Sequence, residues 1–252
     1  MWPFNKWRRK IIRKKAFPLA WLSIISTNCA IYRKLPAYDK EELHRHILIF
    51  LDEKRFVGCG GLEVNDEIKL TIAACACILL LHRKTDYFPG LNSILVYPAA
   101  YVAKQTRHLP GGVVEEGYDV RLGESWPNGS VVLSWDDVKR DAANLRFGRN
   151  VVLHEFAHQL DSSFGRGDSS AVLKRPSAFV KWAKVLYKNY LKLQQDLGVN
   201  KPTLLGTYAA EGPAEFFAVA TENFFTRPKE LRKSYPDLYR ELKNFYHQEP
   251  DG

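Results

Sequence analysis

The 252-residue chain has little cysteine, and its four cysteines, Cys29, Cys59, Cys75 and Cys77, form no CxxC pair. That excludes a zinc knuckle and a disulfide framework and points to small buried hydrophobes in a reducing compartment. Long apolar runs are also missing. The longest charge-free stretches, Ala16–Tyr32 and Tyr87–Ala103, fall short of the ~20 residues a bilayer needs and contain proline and polar residues. There is no internal repeat and no low-complexity linker dividing the chain. Acid is absent from residues 1–15, where Lys6, Arg8, Arg9, Lys10, Arg13, Lys14 and Lys15 stand among Trp2, Phe4 and Trp7. The formal charge of +9 falls to +2 without those seven cations, so a nearly balanced domain at 16–252 follows a basic tail at 1–15. Such a tail reads as a solvated extension, with weak contact to an anionic surface as the alternative; specific nucleic-acid binding is not expected. Ala16–Ala30 follows basic residues as a signal peptide would, but Ser23, Ser26, Thr27 and Asn28 interrupt it and no cleavage site follows. The expectation is a cytoplasmic protein.

What remains is ample core material, 46% hydrophobic and 13% aromatic, enough for one large domain without covalent staples. Leu43, Ile47, Phe50 and Leu51 give residues 39–57 helical spacing, and Glu67–Leu81 reads as a buried helix. Ser93–Tyr97 and Ser130–Trp135 read as strands, the second either an edge that a peptide substrate pairs with or an internal strand. Arg149–Asp161, Ala178–Leu197 and Pro213–Phe225 read as helices, and the Gly- and Ser-rich segment Ser162–Ser177 as an exposed loop. Strands early and helices late predict an α+β domain.

The chemistry concentrates in His154-Glu155-Phe156-Ala157-His158. On a helix, histidines four apart share one face and can hold one Zn²⁺ together. The neighbouring Leu153, Phe156, Ala157 and Leu160 would anchor that helix in the core. Glu155, between the ligands, suits a proton carrier that serves a water the metal activates. The pattern by itself is only suggestive; zinc in a hydrolase needs a third protein ligand. A third histidine six residues after the second, with a glycine midway, is excluded, because those positions hold Phe164 and Asp161. His44, His46, His82, His108 and His247 have no such context. A distant carboxylate fits better. Pro213 suits a first helical position, so Glu215 falls in a first turn and ranks ahead of Glu211 by a small margin. Glu222, two turns further on the same face, suits an outer partner of a ligand. Asp161 reads either as orienting a ligand or as bonding the loop at the helix end.

The run from His154 to Asp161 (HEFAHQLD), the run from Tyr208 to Val219 (YAAEGPAEFFAV) and the later Glu222-Asn223-Phe224-Phe225 resemble the Mlc titration factor A family of zinc peptidases. Phe50–Phe56, Gly61-Leu62-Glu63, Val96-Tyr97-Pro98 and Val132–Trp135 fit the same family in the same order, over most of residues 16–250 and leaving the basic tail outside. The resemblance implies a gluzincin-like fold similar to the catalytic domain of lethal factor. It implies one Zn²⁺ per chain held by His154, His158 and Glu215, with Glu155 as general base and Tyr208 as oxyanion stabiliser. It also implies hydrolysis of peptides or proteins, of aminopeptidase type, and more weakly a transcription regulator as partner, since the founding type binds a glucose-responsive repressor. A regulatory binding protein with a structural or vestigial zinc site is the alternative reading.

Overall fold

The computed structural model describes residues 3–84, 86–108, 114–121, 123–126, 129–163 and 176–250. Helices and a small sheet mix in an α+β arrangement. Within it, α5 (Asp66–Ile78) sits at the centre. Asn65 caps it by accepting from the Ile68 N–H at 3.0 Å, and Asp66 and Glu67 follow in the first turn. From Leu70 through Leu81 every residue is fully buried, so this helix is apolar all round rather than striped. α2 (Leu19–Asn28), α4 (Ala37–Glu53), α6 (Trp135–Ala143) and α7 (Val151–Ser163) surround it.

The sheet runs in the order β1 (Arg55–Gly58), β2 (Ser93–Tyr97), β6 (Ser130–Ser134), β5 (Gly123–Trp126). β1, β2 and β6 are parallel, with Val57 opposite Leu95 and Leu95 opposite Val132; α5 is the crossover between the first two. β5 runs antiparallel to β6 and forms the edge. Ser130–Ser134 is therefore internal, and the edge reading of that segment is corrected. β3 (Tyr101–His108) and β4 (Val114–Arg121) pair with each other as a separate antiparallel hairpin. Trp135 belongs to α6 rather than to the strand, because Ser134 Oγ accepts from the Asp137 N–H and starts the helix there.

The helix expected over 39–57 stops at Glu53. Lys54 turns inward and donates to the carbonyls of Phe88 (3.1 Å) and Leu91 (2.7 Å), and the next four residues pair with β2 instead. Burial pulls the Lys54 ammonium down to a pKa of about 8. Of the expected loop, Ser162 and Ser163 complete α7 and Pro176 and Ser177 open the next helix, while 164–175 lies outside the described residues. α8 (Pro176–Gly198), α9 (Pro213–Thr226), α10 (Pro228–Ser234) and α11 (Pro236–Tyr246) close the chain, each opening on a proline whose missing N–H costs nothing at a first helical position. Trp182 stacks on Phe245 at 4.9 Å and meets Phe217 edge-on at 5.8 Å, which binds α8, α9 and α11 together. α3 (Ala30–Lys34) links α2 to α4.

The basic N-terminus departs from the expected solvated extension. Pro3–Ile12 forms α1, and one side of it is docked. Arg9 grips Glu53 through Nε (2.6 Å) and a terminal nitrogen (2.9 Å), reaches Asp86 at 3.1 Å and lies over the Tyr87 ring. Ile12 is buried beside it. Among the described residues no helix is long and apolar enough to cross a membrane.

Candidate metal centre

Two helices from distant parts of the chain build the site. Asn150 stands just before α7, and its side chain accepts from the Leu153 N–H at 3.0 Å. Val152, Leu153, Phe156 and Ala157 are fully buried, which fixes the helix and leaves His154 and His158 on the adjoining face. α9 packs against it, with Phe216, Phe217, Ala220 and Phe224 buried, and Pro213 sets Glu215 in its first turn.

The helices bring His154, His158 and Glu215 together, with one donor atom from each inside a 4.8 Å group. His154 Nε2 lies 3.2 Å from His158 Nε2 and 3.1 Å from Glu215 Oε2, and His158 Nε2 lies 3.4 Å from Glu215 Oε1. Glu222 sits behind them, buried. It accepts from His154 Nδ1 at 2.8 Å and from the Asn150 backbone N–H at 2.6 Å. A carboxylate only accepts, so His154 Nδ1 carries a proton and Nε2 is the nitrogen turned toward the other two donors, the one a cation would take. Three electron-rich atoms meeting this closely fit a small divalent cation, and two imidazoles with one carboxylate are a donor set suited to zinc.

The charges of these groups are linked, and a cation taking His154 Nε2 would displace the proton that this nitrogen shares with Glu215. Burial disfavours a charge on His154, but the Glu215 and Glu222 carboxylates outweigh it and hold its pKa up at about 10. Burial works against the Glu215 charge too, yet hydrogen bonds from His154 and His158 keep it well below the usual carboxylate range. Burial pushes the Glu155 carboxyl up to about 7, against the pull of the two histidines. A carboxyl poised there can both take and return a proton near neutral pH. Tyr208 opens a short 3₁₀ turn, Tyr208–Ala210, with its ring centroid 5.7 Å from that of His154 and half its surface exposed. Burial of its hydroxyl, reinforced by the Glu215 charge, raises its pKa above that of a free phenol. Tyr208 therefore keeps its proton and remains a donor.

A second group, Asp39, Glu42 and His82, differs in kind. The His82 ring meets Asp39 through Nε2 (2.9 Å) and Glu42 through Nδ1 (3.4 Å), so both nitrogens are engaged and the ring clamps α4 to the turn that follows α5. Of the three carboxylates weighed for the first group, Glu215 lies beside the histidines, Glu222 stands behind them and Glu211 is exposed before the helix. Asp161 is exposed at the far end of α7. Asn150 was not foreseen, although an asparagine directly before an apolar periodic run is a helix-start signal.

The chain matches the family described as glucose-regulated metallo-peptidase M90 over residues 4–247. It belongs to that family. The M90 match begins inside α1, so the basic segment lies within the family's span and not outside it. Relatives of this M90 chain include an uncharacterized protein of Synechocystis sp., 37% identical over 245 residues, 97% of this chain and 89% of that protein. Mlc titration factor A of Serratia proteamaculans is 32% identical over 222 residues, 86% and 84% of the two chains. The same factor of Klebsiella pneumoniae is 31% identical over 218 residues, 86% and 82%. The M90 family is one of metallopeptidases, and a metal is accordingly expected in its members.

Proposed function

We propose that this chain is a zinc-dependent peptidase of zincin-like, lethal-factor-type fold, with one Zn²⁺ held by His154, His158 and Glu215. The observation that carries the reading is the convergence of those three donors beside a buried, nearly neutral-pKa Glu155. When bound, zinc supplies a Lewis acid that polarises a scissile carbonyl and lowers the pKa of a water to about 7. Glu155 takes the proton from the attacking water and hands it to the leaving amine. Tyr208 donates to the oxygen that gains charge as the carbonyl is attacked. Glu222 keeps the His154 ring in the tautomer and orientation that ligation needs. An extended peptide is taken to pair with β5, the antiparallel edge next to α7. Aminopeptidase-type cleavage is the finer reading; peptides with free and blocked N-termini, compared as substrates, test it. The four free cysteines are in keeping with the cytoplasm.

Glu155→Gln is the test. Hydrolysis should fall by about 10²–10⁴ while zinc stays near one per chain, whereas His154→Ala should lose the zinc. Retained hydrolysis in Glu155→Gln would falsify the role given to that carboxyl. The names of the relatives supply a second reading, in which the protein holds a transcription regulator. Partner capture that survives Glu155→Gln, with no hydrolysis by the native protein, would favour it.

A further inference from the structure

The two sides of α1 are built for different neighbours. Arg9, Ile12 and Arg13 face the protein: Arg9 on Glu53 and Asp86, Ile12 buried, and Arg13 reaching the Tyr87 hydroxyl at 3.4 Å. Trp7, Lys10 and Ile11 fall at i, i+3 and i+4 and form the opposite stripe, which Lys14 continues in the turn after α1, all of them exposed. Trp7 is 64% and Ile11 44% exposed, an indole and a sec-butyl group left in water among cations. Lys6 and Lys15 are exposed as well, and no acid occurs in residues 1–15.

We infer that this stripe docks the protein on an anionic phospholipid surface. An indole beside an aliphatic side chain, flanked by lysines on a short helix parallel to the surface, matches the acyl–headgroup boundary. The ring and the alkyl chain enter, and the lysines meet phosphates. A nucleic-acid backbone would use the cations but leave Ile11 without a partner, and a second copy of this stripe would oppose lysine to lysine. Because Arg9 and Ile12 tie α1 down from behind, the stripe is presented ready-made rather than folding on contact, which lowers the ordering cost of binding. Two apolar side chains make a reversible attachment, not an anchor.

The test is flotation of the full chain with vesicles of phosphatidylcholine alone and of equal parts phosphatidylcholine and phosphatidylglycerol. Binding to the mixed vesicles only, released by salt, is expected. Lys10→Glu with Lys14→Glu should weaken it at least about 25-fold, since each cation near such a surface contributes roughly fivefold. Trp7→Ser with Ile11→Ser should weaken it too, with thermal stability native in both variants because the stripe lies in solvent. The idea is overturned if the native chain stays with the soluble fraction, if either variant floats as well as the native chain, or if duplex DNA binds more tightly than the mixed vesicles at equal salt. Neither a metal nor hydrolysis enters this assay, so its result is independent of Glu155→Gln.

Discussion

Glu222 performs two tasks with one carboxylate: one oxygen orients His154 and the other closes the first turn of α7 through the Asn150 N–H. Glu222→Gln should therefore raise the zinc dissociation constant about 10–100-fold, measured by chelator competition. Glu211→Gln, on an exposed residue, should leave it unchanged. Tyr208 has a separate test. Tyr208→Phe removes one hydroxyl and keeps the ring beside His154. It should lower kcat by about 10²-fold with KM, zinc content and melting temperature near native. Loss of zinc along with turnover would make Tyr208 a ligand instead, and unchanged turnover would leave it a packing residue. The motif residues themselves were plain in the sequence, because i, i+4 spacing is local. That Glu222 reaches back 68 residues to His154 was legible only as a shared face with Glu215.

At the scale of elements, local signals served α7, α9 and β2, whose ends fall within two residues of the periodicity and the flanking proline or glycine. They failed where the partner was remote. α1 reads as a free basic tail until Glu53 and Asp86 are brought to it, and Gly123–Trp126 has no strand signature until β6 offers it a ladder. Two substitutions check this account. Ile12→Ala should cost about 2 kcal/mol in denaturant unfolding, whereas Trp7→Ser on the opposite side should stay within ~0.5 kcal/mol. In the turn that feeds β6, Gly129 has φ +80° and a methyl there would sit 2.3 Å from the Gly90 carbonyl oxygen. Gly129→Ala should therefore lose more than about 1 kcal/mol.

Across the whole molecule, α5 and the aromatic contacts of α8, α9 and α11 form the core without using the metal-site side chains. Removing zinc with a chelator should lower the melting temperature by mass action, by about 4 kcal/mol of stability where free zinc stood at a thousand times its dissociation constant. The far-UV circular dichroism should hardly change, since the helices are held by burial. A chain that unfolds on chelation would place the metal among the supports of the fold.

The packing of α7 on α9 has a consequence for the life of the protein after synthesis. Both helices are held by buried apolar side chains, Val152, Leu153 and Phe156 on α7 and Phe216, Ala220 and Phe224 on α9, and none of these is a donor in the His154, His158 and Glu215 group. For the proposed zinc site, loading is then expected to be a capture event on a finished scaffold, unlike a zinc finger, whose chain closes around its ion. On that expectation, folded and unloaded molecules made at low metal should gain hydrolysis when zinc is added with translation blocked. The supply of the ion, rather than new translation, would then set how much working enzyme a cell holds.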